Sequence, residues 1–127
     1  MKNRSTEGVS LEGVEPTVEV TGVIYDLWKL MVTVETPERL GKVTFRYPRG
    51  FRILDESDLL EYWPKFSLSN GWLYKISKGG WKDLELKRQG FIEELHLDDS
   101  EYFIVGVNDC VSVLCRHEPI CVWEHKP

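Results

Sequence analysis

Cys110, Cys115 and Cys121, with His117 and His125 close by, gather every thiol of the chain near its C-terminus. Thiols and imidazoles together suggest either a zinc site or a thiolate activated by histidine. A zinc site uses C-x2-C or H-x3-H pairs and four ligands, and the spacings of five and six residues here are irregular for that. Cys115 and His117 stand at i and i+2, which do not face each other on a helix. Val113, Leu114 and Ile120 surround the thiols, so they read as small buried hydrophobes, with no metal, cofactor or disulfide.

Carboxylates offer the next chemistry. Asp55, Glu56, Asp58 and Glu61 could supply a general acid and base, or hold a cation. DESD lacks the DxDxDG calcium-loop spacing, and a helical repeat spreads Asp58 and Glu61 along a solvated face. A partner-facing surface is the better reading. A second acidic run, Glu93, Glu94, Asp98, Asp99 and Glu101, flanks His96. It reads equally as an ordinary charged loop, or as one negative field with the first run, offering acceptors to the Lys and Arg of a basic partner. Trp63, Trp72 and Trp81 read mainly as core, with one or two free to anchor an interface beside the carboxylates. The partner-contact candidates are therefore Asp55, Glu56, Asp58, Glu61, Trp63, Asp98 and Asp99.

The elements that must carry these residues follow from patterning. Ser57 to Trp63 predicts a short helix: Ser57 caps it, Leu59, Leu60 and Trp63 share a face, and Pro64 ends it. Before it, Val18 and Val20 alternate on a strand that continues through Val23 to Tyr25 past a bulge at Gly22. Asp26 to Trp28 turns the chain into an antiparallel partner strand, Leu30 to Val34. Pro37 to Gly41 reads as a loop, and Lys42 to Tyr47 as a strand that buries Val43 and Phe45. Phe51 to Leu54 is either that strand resumed or a new one.

Asn70-Gly71 marks a turn before a strand at Trp72 to Ile76. Trp81 to Arg88 reads as strand-like. Glu101 to Val107 is an apolar strand, and Asn108 reads as the N-cap of a helix with Val111, Leu114 and Cys115 on one face. Pro119 stops that helix before a last strand, Ile120 to Trp123. The whole predicts an α+β fold, a mainly antiparallel sheet with two or three short helices packed against it. Residues 1–16 read as a flexible N-terminal arm, where Val9, Leu11 and Val14 could pin part of it, and residues 17–127 as a single domain.

At 127 residues with 42% hydrophobic content, the chain can bury one core without disulfides. A net charge of -5 argues against a nucleic-acid partner, which calls for a basic patch. MKNRSTEGVSLEG has no apolar core for a secretory signal, and no run reaches the roughly 20 apolar residues of a membrane span. Free thiols then predict a cytoplasmic protein.

FRILDESDLLEYWP, GWLYKISKGGWKDLE and EYFIVGVNDCVSVLCRHEPICVWE together resemble small bacterial immunity proteins of contact-dependent growth inhibition and related polymorphic toxin systems. The features that carry it are an acidic helix, a Gly-Gly-Trp step, and a strand, NDC helix and Pro-led strand. The resemblance implies a cytoplasmic antidote, not an enzyme, that binds a cognate toxin domain, often a nuclease. Occlusion would be its mechanism, with carboxylates mimicking phosphates and aromatics as the anchor. The alternative is a small-molecule-binding or regulatory α+β domain.

Overall fold

A computed structural model describes residues 7–12, 18–55, 71–88, 90 and 98–127. In chain order these form β1 (Glu7–Ser10), β2 (Glu19–Asp26), β3 (Lys29–Glu35), β4 (Arg39–Arg46), β5 (Gly50–Asp55), β6 (Leu73–Lys78), α1 (Trp81–Glu85), β7 (Ser100–Val105), β8 (Asp109–Cys115) and β9 (Ile120–His125). The strands make two antiparallel sheets, ordered β1-β6-β7-β8-β5 and β2-β3-β4-β9. The fold is therefore mostly antiparallel β with one short helix among the described residues, not the expected α+β arrangement of one sheet and two or three helices.

The two sheets share a core. Val20, Leu30, Val32, Val34, Val43 and Phe45 from the four-stranded sheet meet Leu73, Tyr102, Ile104, Val111, Val113 and Cys115 from the other. Period-2 alternation dictates this for β3 and β4, whose inward residues are buried and whose outward residues are not. The five-stranded sheet is buried on its outward face as well, where Tyr74, Ile76, Phe103, Val105 and Cys110 cluster with Leu54. That second burial explains the largest departure from expectation. DCVSVLC carries apolar residues on both faces because both faces of β8 are covered, and a short apolar run of this kind fits a buried strand as well as a helix. The expected NDC helix is thus a central strand, and one of the features carrying the family resemblance changes with it.

Asn108 caps no helix. Its carboxamide nitrogen donates to the Val20 carbonyl at 2.9 Å, and its oxygen accepts from the Val20 N–H at 3.1 Å. The neighbouring Val107 N–H donates to the Val18 carbonyl at 2.7 Å, so the β7–β8 loop stitches one sheet to the other.

Trp81 to Glu85 is helix where strand was expected. Gly79 takes a positive φ of 77°, which ends β6. Two carboxylates then satisfy N–H groups at the helix start: Glu101 Oε1 accepts from Lys82 N–H at 2.9 Å, and Asp83 Oδ2 from Gly79 N–H at 2.6 Å.

Other expectations fare better. β2 carries its irregularity between Val20 and Gly22, and pairs antiparallel with β3. Phe51 to Leu54 lies in a new strand, in the other sheet from β4. The loop at Pro37 to Gly41 is shorter than expected, since β4 begins at Arg39. Within the stretch read as an arm, Glu7–Ser10 pairs with β6 and Leu11 packs on the core, while Val9 is exposed and Val14 lies outside the described residues. The expected helix at Ser57 to Trp63 lies outside them too. No helix among the described residues is long and apolar enough to cross a membrane.

Candidate functional site: an aromatic tip on the sandwich

β2 and β3 are joined by the two-residue turn Leu27-Trp28, and β4 leaves its sheet for β5 through Tyr47-Pro48-Arg49. These two connections meet at one end of the sandwich. Asp26 Oδ1 accepts the N–H groups of Trp28 (2.9 Å) and Lys29 (3.0 Å), fixing the hairpin turn. Tyr47 N–H then donates to the Trp28 carbonyl at 2.8 Å, and the two rings stand edge to face with centroids 6.0 Å apart. Beside them Tyr25 from one sheet meets Phe51 from the other at 5.3 Å.

The turn leaves its two large apolar side chains in water: Leu27 is 71% and Trp28 63% exposed, and neither takes the positive φ that calls for Asn or Gly in a hairpin turn. Tyr47 is 55% exposed and sits at φ 53°, a left-handed conformation that is strained for a bulky residue. The apolar surface continues outward along the four-stranded sheet, where Ile24, Met31, Thr44 and Ile120 pair in one row and Ile24 and Ile120 are exposed.

Lys29 and Arg46 are direct cross-strand partners in the adjoining row, and Arg49 follows two residues after Tyr47. All three are exposed. Exposed Trp and Tyr with Arg at the margin is the composition of interface hot spots.

The sequence-based candidates are dispersed. Asp55 is exposed and pairs with Asp109 at one end of the five-stranded sheet. Asp98 stands 3.9 Å from Arg116, just beyond the other end of β8. Seven residues of strand put them about 23 Å apart, so these two carboxylates share no single field. Asp99 is buried, at 4% exposure, and its backbone carbonyl accepts from Lys82 Nζ at 2.5 Å. It belongs to the packing of α1 on β7 and not to a displayed surface. Glu101 is likewise buried beneath α1. Glu56, Asp58, Glu61 and Trp63 lie outside the described residues.

Of the tryptophans, Trp72 is buried and meets Trp123 edge to face at 5.5 Å. Trp81 is half-buried under the Arg52 guanidinium, 5.2 Å from its ring. Among the described tryptophans the exposed one is Trp28, near Asp26, which sequence reasoning passed over as part of a turn. The signal that could have found it was a tight turn made of two large apolar residues.

None of the three cysteines forms a disulfide. Cys110 and Cys115, an odd number of residues apart on one strand, face opposite sides of the sheet, and Cys115 Sγ donates to the Arg46 carbonyl at 3.0 Å. Burial raises the Cys115 pKa and pushes that of Cys121 up to about 11, so these thiols are poor nucleophiles at neutral pH. Among the described residues, no three His, Cys, Asp or Glu side chains come together as a metal site. A cleft of about 250 Å³ lies at the end opposite the tip, lined by Glu19, Glu35, Thr36, Pro37, Val107 and Lys126. Its floor is already neutralised: Lys126 Nζ sits 2.9 Å from Glu35 Oε1, and that bond holds the Glu35 pKa below the usual carboxylate value.

No protein-family model, curated protein or solved structure matches the chain.

Proposed function

We propose that this chain is a non-catalytic protein-binding domain that docks its partner on the aromatic tip, and that it acts as an immunity protein, neutralising a toxin domain by occlusion. The observation that carries the binding role is the shared exposure of Leu27, Trp28 and Tyr47 at one end of the sandwich. Burying those rings in a partner recovers apolar area that folding leaves in water. The immunity role rests on the resemblance of the Phe51–Pro64 and Gly71–Glu85 stretches, and on cysteines that form no disulfide, which suits a reducing cytoplasm. Among the described residues a small-molecule role finds less support, since the cleft of about 250 Å³ beside Glu35 is small and already holds an ion pair.

Cells expressing the toxin domain encoded beside this chain, with and without the chain, provide the test. Growth restored by the wild type and not by Trp28→Ala, at equal soluble levels, supports the proposal. Growth arrest despite the folded wild-type chain removes the immunity role.

A further inference from the structure

Lys29 and Arg46 stand directly opposite each other across β3 and β4, a like-charge pair that costs stability unless an anion lies between or above them. Among the described residues, neither side chain, nor that of Arg49, makes an ion pair or hydrogen bond. Asp26, the register partner of Lys29, keeps its negative charge while its Oδ1 accepts from the turn N–H groups, so it offsets one of the three cations. The remaining positive charge, on Arg46 and Arg49, borders an exposed aromatic cluster on a protein whose net charge is -5.

From this juxtaposition we infer that the tip receives an acidic protein surface: an apolar socket for Trp28 and Tyr47, rimmed by Asp and Glu that pair with Lys29, Arg46 and Arg49. The inference rests on the protein-binding role proposed above and specifies the partner's charge. It reverses the polarity expected from the sequence, where the chain's carboxylates were to meet a basic partner. Arginine at the rim supports bidentate pairing with carboxylates and long-range steering of an anionic surface. A nucleic-acid strand would also meet aromatics and arginines. The aliphatic flank of Ile24, Leu27 and Ile120 offers no stacking platform for bases, however, and suits an apolar protein surface.

The test uses the full chain as bait for a phage-displayed library of random peptides, with the folded Trp28→Ala/Tyr47→Ala variant for counter-selection. The selected peptides should combine Asp or Glu with large apolar residues. Their affinity, read by fluorescence anisotropy, should fall at least about tenfold with Arg46→Glu/Arg49→Glu and weaken as salt rises. Thermal melts of each variant establish that it folds, and Arg46→Gln/Arg49→Gln provides a milder change should reversal unfold the chain. Tip-dependent peptides that are basic or neutral would overturn the acidic assignment while leaving protein binding in place. Failure to enrich any tip-dependent peptide would overturn both. Tip-dependent binding of a fluorescein-labelled oligothymidylate, tighter than that of any peptide, would overturn the inference in favour of nucleic acid.

Discussion

The side chain of Asn108 pairs with both backbone groups of Val20, donating to its carbonyl at 2.9 Å and accepting from its N–H at 3.1 Å. It does for β2 what a neighbouring strand would do, at the bulge where β2 shifts register. Asn108→Ala strips both partners from a half-buried site, and each orphaned group costs about 1–3 kcal/mol. Urea unfolding should show a lower midpoint with little change in slope. An unchanged midpoint would mean that water replaces the amide at no cost.

Trp123 lies flat against Gly41, its register partner on β4. A Cβ at Gly41 would come within 2.9 Å of two ring carbons and 3.0 Å of Val34 Cγ2. Gly41→Ala should therefore push the indole off Trp72 and destabilise by about 1–3 kcal/mol, as overpacked cores do. Near-UV circular dichroism should lose the signal of the Trp72–Trp123 pair in the same variant. A spectrum and midpoint like wild type would show that the ring has room to slide.

Much of the sheet structure was legible because half-buried strands alternate. Val32, Val34, Val43 and Phe45 announced their buried face, and the irregularity near Gly22 was readable in the break of that alternation. β8 was not, because burial on both faces erases the period that separates strand from helix. α1 was misread for another reason. Its start depends on Glu101, a carboxylate from a strand far along the chain, and no local pattern carries that information. The division into two sheets turned on the step from β4 to β5, where the sequence left Phe51 to Leu54 as either the same strand resumed or a new one. At the candidate site, Asp55 and Asp98 were recognised as exposed acids, but charge runs carry no register. The distance between them and the burial of Asp99 emerge only from the fold.

Alkali should unfold the protein through buried phenols and a buried thiol. Burial pushes Tyr74 and Tyr102 from 10.0 up to about 12, and Cys121 from 9.0 up to about 11. Each folded-state pKa is raised, so the folded state favours the neutral form. The phenols' contribution is complete below pH 10 and lost as pH climbs to about 12. The thiol's is lost between pH 9 and about 11. Urea midpoints measured across pH 8 to 12 should decline from pH 9 upward, and Tyr74→Phe should flatten the fall above pH 10. An equal decline in the Phe variant would assign the loss elsewhere.

Tyr47 holds a left-handed φ of 53°, which costs a residue with a side chain about 1–2 kcal/mol. Tyr47→Gly removes that strain and also forfeits the Trp28 ring contact, worth about 0.5–1.5 kcal/mol. The two nearly cancel, so the urea midpoint should stay near wild type while partner binding weakens. Tyr47→Val keeps the strain, adds a β-branch and should destabilise. Equal stability of the Gly and Val variants would mean that the backbone relaxes at this position.

The most direct measurement of the tip's role is the dissociation constant of the proposed toxin partner, for wild-type protein and for Trp28→Ala. Trp28 is 63% exposed and meets Tyr47 edge to face, so its truncation should cost little more than that contact, about 0.5–1.5 kcal/mol, and leave the protein folded. A buried tryptophan anchor contributes about 2 kcal/mol or more, which predicts binding at least roughly 30-fold weaker. A dissociation constant within about twofold of wild type, in a folded Trp28→Ala protein, would contradict the account, since that change is under 0.5 kcal/mol.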